Sequence, residues 1–384
     1  TGGSRLRRAW SHLAVLTLAA VLALAGCGSR PGSPVQAAPP PPAAGPGHGL
    51  AFLDASRGWA LVDCGNGTST VPGTPACRLV TTADGGKTWT QAATGLPASA
   101  RLQFFNAQDG FATVDGGTCA HGLCPAYVLG TTDGGRTWTT RYSGPVELAS
   151  IDFSSPTAGW SIVDGGLDQS TDGGLHWHES VAAAQAIGTA CTMDFVRFST
   201  SEAGMAGGGS SGGPCLATTS DGGATWKLAD GKPIRTGLQA LNLQGVTAAC
   251  AAADASPGWL HVTCDPASPG AMAVLRTGDG GATWTYAWGV AACLMGCRSD
   301  NAGMQPLFFL DASTVWRLAP RGAQRTTDEA ATWTGGQPLC ADPGCQVNLA
   351  FVTADRGWAV VADGQSLDTT ADGGRTWTRQ WPEP

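Results

Sequence analysis

Thirteen cysteines, six histidines and 29 acidic residues are the groups in this 384-residue sequence that could carry chemistry. Cys27 stands apart behind an apolar run. The other twelve cysteines fall into close pairs: Cys64 with Cys77, Cys119 with Cys124, Cys191 with Cys215, Cys250 with Cys264, Cys293 with Cys297, and Cys340 with Cys345. An even number of cysteines in an exported chain reads as a disulfide framework. Sequence does not fix connectivity, but pairing nearest neighbours closes six local loops. Cys293, Cys297, Cys340 and Cys345 also have spacings near those of zinc ligands, a competing reading that an oxidising compartment disfavours. His176 and His178 flank Trp177 and would share one face of a strand. Two imidazoles are too few for a closed metal site, so they read as solvated strand histidines. Gly208-Gly209-Ser210-Ser211-Gly212 fits G-x-S-x-G, but a nucleophile elbow needs a strand before it and a helix after it. Here it reads as a Gly/Ser-rich loop. No catalytic residue, cofactor site or metal site is assigned.

Seven of the aspartates recur in one setting. Thr82-Ala83-Asp84-Gly85-Gly86-Lys87-Thr88-Trp89 comes back around Asp133, Asp172, Asp221, Asp279, Asp328 and Asp372. The aspartates lie 49, 39, 49, 58, 49 and 44 residues apart, a period that signals a repeat architecture. An Asp can accept from backbone two residues on, and two glycines supply positive φ at little steric cost. Thr and Trp then suit the start of a half-buried strand. Each octapeptide therefore reads as a hairpin corner, with its Asp structural and its Trp packing on neighbours. The sixth copy, Asp328-Glu329-Ala330, lacks both glycines; a non-Gly residue at positive φ costs about 1–2 kcal/mol, so this turn is expected to relax to another type.

A second motif precedes each of these. Phe52-Leu53-Asp54-Ala55-Ser56-Arg57-Gly58-Trp59 recurs, with substitutions, from Phe104 to Phe111, Phe153 to Trp160, Phe198 to Met205, Ala252 to Trp259, Phe309 to Trp316 and Phe351 to Trp358. The octapeptide resembles the Asp-box, or BNR, repeat. Together, F-x5-G-W and T-x-D-G-G-x-T-W resemble the photosystem II stability and assembly factor family of seven-bladed propellers. The resemblance covers roughly residues 50 to 381. It implies an all-β, seven-bladed β-propeller of four-stranded antiparallel blades, and a protein partner. Every repeat is complete, so no strand exchange to latch the ring is evident. Sialidases also carry Asp-boxes, and a glycan-active or glycan-binding propeller is the alternative function. A glycosidase needs two placed carboxylates or a Tyr with a carboxylate partner. Behind Cys27 there are five Glu and three Tyr, and the sialidase Phe-Arg-Ile-Pro motif is absent.

Arg5, Arg7 and Arg8 precede the apolar run Leu13 to Leu24, which as a helix would span only about 18 Å. That is short of a bilayer core of about 30 Å and suits a signal-peptide core. Leu24-Ala25-Gly26-Cys27 resembles a bacterial lipobox, whose Cys is lipidated. Residues 1–27 thus read as a lipoprotein signal peptide, 28–49 as a Pro/Ala/Gly-rich tether, and 50–384 as the propeller. The implied place is extracytoplasmic, anchored to the membrane through Cys27. Without residues 1–27 the chain has 19 Lys plus Arg against 29 Asp plus Glu, which argues against nucleic acid as partner. Between frame Phe and Asp, repeats three and six have 19 residues, whereas repeats one, two and four have 32, 29 and 23; repeat five, counted from Ala252, has 27. These insertions fall between second and third strands. Further long joins run from Leu228 to Gly245, Thr285 to Pro306 and Thr334 to Gln346. In an up-and-down blade all of them emerge on the face opposite the aspartate turns. Variable loops on a rigid scaffold usually carry binding sites, so that face is where a protein partner is expected. Trp288 and Trp381 lie outside the repeat frame and read as caps on blade edges.

Overall fold

The computed structural model describes residues 47–69, 75–119, 122–144, 148–239, 250–256, 258–264, 271–279, 281–290, 307–319, 322–339, 347–361 and 364–382. Each repeat forms a four-stranded antiparallel sheet with its strands in chain order, giving a seven-bladed propeller. Blade 1 is built from Leu50–Phe52, Gly58–Thr68, Pro75–Thr82 and Thr90–Pro97. Blade 2 uses Arg101–Phe104, Gly110–Val114, Ala126–Thr131 and Thr139–Gly144, and blade 3 uses Ala149–Phe153, Gly159–Val163, Gly166–Ser170 and His178–Glu179. Blade 4 follows with Thr192–Phe198, Gly204–Ser210, Gly213–Thr219 and Lys227–Leu228, and blade 5 with Cys250–Ser256, Trp259–Cys264, Ala271–Arg276 and Thr285–Val290. Blade 6 comprises Leu307–Phe309, Val315–Ala319, Gly322–Thr326 and Thr334–Gly335; blade 7 comprises Val347–Phe351, Gly357–Val361, Ser366–Thr370 and Thr378–Trp381. First strands of successive blades touch one another, so they surround the axis and the fourth strands form the rim. Two helices, α1 (Val181–Ile187) and α2 (Gly231–Gln239), follow the short fourth strands of blades 3 and 4.

The aspartate turns are held by side chains more than by the backbone. The Thr82 hydroxyl donates to Asp84 Oδ1 at 2.9 Å and accepts from the Gly86 N–H at 2.8 Å. Asp84 Oδ1 also accepts from the Thr88 N–H at 3.0 Å, and Oδ2 accepts from the Thr88 hydroxyl at 2.6 Å. The carboxylate thus reaches four residues on, not the two expected of an Asx-turn. Gly85 and Gly86 sit at φ of 77° and 85°. A Cβ on Gly85 would come within 2.6 Å of the Ala55 carbonyl oxygen, because the turn packs on the first hairpin of its own blade. The fourth strand begins one residue later than expected, at Thr90, and Trp89 closes the turn.

The sixth turn does not relax. Glu329 and Ala330 keep φ of 63° and 69°, close to the values of the glycines they replace. Thr326, Asp328 and Thr332 form the same hydrogen bonds as in the other copies. At about 0.5–1.5 kcal/mol each, those four bonds offset left-handed strain of about 1–2 kcal/mol at each of the two residues. An ion pair from Arg276 of blade 5 holds Glu329 as well.

The F-x5-G-W frame has a packing cause. The Phe52 ring lies flat over Gly58, where a Cβ would collide with it, and the same holds for Phe104 on Gly110, Phe153 on Gly159, Phe198 on Gly204 and Phe351 on Gly357. The other side of each Phe ring meets the frame aromatic of the preceding blade. Trp59 stacks on Phe104 at 3.7 Å between centroids, Phe111 on Phe153 at 3.8 Å, and Trp316 on Phe351 at 3.7 Å. The pairs are wider at blades 3/4 (Trp160 and Phe198, 5.6 Å) and 5/6 (Trp259 and Phe309, 5.9 Å). Between blades 4 and 5 the frame holds Met205 and Ala252 instead. There Ile234 and Leu238 of α2 join Phe195, Leu216, Leu260 and Leu275 in one buried cluster.

The ring closes by face packing, without strand exchange. Blade 7 meets blade 1 through Trp358 and Phe52, with centroids 3.6 Å apart. Arg356 donates to the Gly85 carbonyl, and Trp381 Nε1 donates to Asp63 Oδ1 at 3.0 Å. A two-residue strand, Gly47–His48, pairs with the first strands of both blade 1 and blade 2 and joins them into one nine-stranded sheet. Residues 47–49, at the end of the segment read as tether, are therefore sheet and turn. In the fourth repeat the extra residues lengthen both strands of the 2–3 hairpin to seven residues and leave only Ser211 and Gly212 as its tip.

Candidate functional site

The two faces of the ring can be assigned from hydrogen bonds. In six of the seven repeats the N–H of the residue after the aspartate reaches the carbonyl of the 1–2 turn in its blade: Gly85 to Ser56, Gly134 to Gln108, Gly173 to Thr157, Gly222 to Glu202, Glu329 to Ser313 and Gly373 to Asp355, at 2.7–3.2 Å. The aspartate turns and the 1–2 turns thus share one face. The 2–3 hairpins emerge on the other, as do the connections between blades.

On the turn face the seven aspartates act as anionic acceptors. The Thr88, Thr137, Thr283 and Thr376 hydroxyls hold Asp84, Asp133, Asp279 and Asp372 down at about 2, and Thr225 and Thr332 lower Asp221 and Asp328. Asp172 is lowered by the His176 N–H and ring. His176 takes the place of the turn threonine, its Nδ1 2.6 Å from Asp172 Oδ2, so it lies in the turn, not in a strand with His178. The G-x-S-x-G stretch is not a loop: Gly208, Gly209 and Ser210 end a strand, the Ser210 hydroxyl donates to the Gly213 carbonyl at 2.9 Å, and only Ser211 and Gly212 form the hairpin tip.

On the opposite face, Cys64 is disulfide-bonded to Cys77 across the long blade 1 hairpin, and Cys191 to Cys215 within blade 4. Cys250 and Cys264 are direct partners in the register of blade 5. Cys119 and Cys124 lie in a separate small hairpin, Gly117–Cys119 with Gly122–Cys124, outside the four strands of blade 2. Side chains of these last four lie outside the described residues, as do Cys27, Cys293, Cys297, Cys340 and Cys345 entirely. Trp381 and Trp288 sit at the blade 7/1 and 5/6 junctions, with Arg78 5.8 Å from the Trp381 ring and Trp333 6.1 Å from Trp288.

Sequence reasoning missed a polar tie among the inner strands of blades 2, 3 and 4. Gln103 Nε2 donates to the Phe153 carbonyl at 2.7 Å, and its Oε1 accepts from the Phe153 N–H at 3.1 Å. Asp152, fully buried, accepts from the Phe198 N–H at 2.6 Å. Ser150 accepts from the Val196 N–H at 3.0 Å and from Arg197 at 2.9 Å. Burial pushes Asp152 up to about 6, against the pull of Arg197. The available signal was positional: Gln103, Asp152 and Arg197 each directly precede a frame Phe, where blades 1 and 7 have Ala51 and Ala350.

No family model and no curated protein matches this sequence. Solved structures do. YCF48 bound to D1 peptide is 18% identical over 87% of this chain and 94% of that one, with a TM-score of 0.47. YCF48 from Cyanidioschyzon merolae is 16% identical over 87% and 98%, at 0.49. The GH74 xyloglucanase from Xanthomonas campestris is 16% identical over 88% of this chain and 55% of that one, at 0.51. These likenesses are of fold: the chain resembles the assembly-factor family as a propeller, and the xyloglucanase chain contains a comparable one.

Proposed function

We propose that this protein is a non-enzymatic, protein-binding propeller, held outside the cytoplasm by a lipid on Cys27, that meets its partner on the face opposite the aspartate turns. The observation that carries the reading is the Gly117–Cys119/Gly122–Cys124 hairpin. It adds a second small sheet that blade 2 does not use, on the same face as the Cys64–Cys77 hairpin. A disulfide limits the freedom of the loop it closes, and a loop already fixed in shape binds at a lower entropy cost. The paired repeat motifs support the same reading, because the family they resemble acts through a protein partner. The test is to crosslink the protein in isolated membranes, identify the partner, and compare two variants. One replaces residues 117–124 with a two-residue turn; the other carries Lys87→Ala and Arg136→Ala on the turn face. Loss of the partner only in the first is expected; loss only in the second, with both variants folded, overturns the assignment of the face.

A further inference from the structure

Three features set the gap between blades 5 and 6 apart, two from the sixth repeat and one from the fifth. The residue after the frame aromatic is Ala60, Ala112, Ser161, Ala206, Leu260 or Ala359 in the other six repeats, and each of these is fully buried. In the sixth it is Arg317, only partly buried. Trp288, outside the repeat frame, comes to meet it from the fourth strand of blade 5. Ala330 stands where the other turns have their second glycine.

The result is a guanidinium between two indoles. Arg317 lies 4.6 Å from the Trp288 ring centroid and 4.1 Å from that of Trp333. Its Nε donates to Gln324 Oε1 at 2.8 Å, which fixes the plane of the group. Beneath it, Trp259, Val274, Leu307, Val315 and Ala330 complete an apolar floor shared with the two indoles. Among the described residues no carboxylate pairs with Arg317, whereas nearby Arg276 and Arg325 have Glu329 and Asp355. Among the described residues the Arg317 cation meets two ring faces and the Gln324 side-chain carbonyl oxygen but no opposite charge; burial lowers its affinity for its proton.

We propose that the open edge of this gap is a docking point for a carboxylate side chain of an acidic protein segment, received by the free edge of the Arg317 guanidinium. A carboxylate matches the planar fork of Arg, and Trp and Arg are the residues that dominate binding energy at protein interfaces. An acidic sugar is the less suitable guest, because sugar rings stack on open indole faces and Arg317 covers the faces that Trp288 and Trp333 present here. The docking point lies between blades 5 and 6 and not on the blade 2 hairpin, so it deepens the protein-binding reading and rests on it for the nature of the guest.

The test is a titration of the purified protein with fluorescently labelled acetyl-hexaglutamate amide, followed by anisotropy, beside the hexaglutamine peptide and an oligogalacturonate. Saturable binding of the glutamate peptide alone is expected, weakening as salt is raised. Arg317→Leu should reduce it at least tenfold. The fold should accept that change, since Leu260 fills the matching position in blade 5, and circular dichroism melts would check it. Arg317→Lys, which keeps the charge but not the fork, should fall between. Binding that is equal in Arg317→Leu, absent from the unmodified protein, or stronger for the galacturonate overturns the proposal. None of these results bears on the insertion face, which the residue 117–124 variant tests by itself.

Discussion

The indole of Trp358 lies on the phenyl ring of Phe52, 3.6 Å between centroids and 12° from parallel, across 306 residues of sequence. Among the described residues this is the tightest of the aromatic stacks between blades, and it falls where the last blade meets the first. Trp358→Ala should destabilise the protein by about 3–5 kcal/mol, the range for truncating a buried large aromatic. Trp89→Ala, at a half-buried turn residue of the same junction, should cost less. Urea midpoints of the two variants would check the order.

Ala330 offers the reverse experiment. Its φ of 69° belongs to glycine territory. Ala330→Gly should remove about 1–2 kcal/mol of strain and add about 0.5–1 kcal/mol of unfolded-chain entropy, for a net gain near 1 kcal/mol. Gly134→Ala, the opposite change, should cost more than the strain alone, because its Cβ would sit 2.7 Å from the Ala107 carbonyl oxygen. Thermal melts of both variants would read the two signs.

The pH dependence has two opposed parts. Asp152 titrates near 6 in the folded protein, against 3.8 as its ordinary value. The folded state therefore holds this proton more tightly than the unfolded chain, and stability should rise as pH falls from above 6 toward 4, by about 3 kcal/mol at most. The turn aspartates are shifted the other way, so their contribution is present above about 4 and is lost as pH falls toward 2. Greatest stability should lie near pH 4, where the turn aspartates are ionised and Asp152 still holds its proton. Asp152→Asn should flatten the fall between about pH 4 and 6 and leave the acid limb in place. Denaturant unfolding at a series of pH values would show whether the upper limb belongs to Asp152.

Anchoring is expected to depend on Cys27. Cys27→Ser should move the protein from the membrane fraction to the soluble fraction or leave its signal unprocessed. Processed Cys27→Ser protein that still sediments with lipid would sink the lipobox reading.

Much of this fold was legible because the repeat writes the same physics seven times. The turn aspartates, their flanking hydroxyls and the Phe–Gly contact are local, within about eight residues, so spacing alone exposes them. The sixth turn was misread for the same reason. Glu329 and Ala330 were weighed by their own backbone preference, while the bonds from Thr326, Asp328 and Thr332 that hold them belong to the whole octapeptide. Asp152 and Arg317 were legible only as odd residues in the repeat frame, not as buried groups with partners. Their burial is set by neighbouring blades, through Phe198 in one case and Trp288 in the other, and no window within a single repeat contains both partners.

Among the described residues each blade draws its four strands from its own repeat, and strand pairing crosses between blades solely at the two-residue strand Gly47–His48. A genetic duplication or loss of one whole repeat, cut in the connection between blades, would therefore orphan no strand. In a ring latched by a shared blade, the same event at the latch would leave two half-sheets with open edges. Here the number of blades is limited by how well the faces fit around the circle, and the lineage is free to count in units of one.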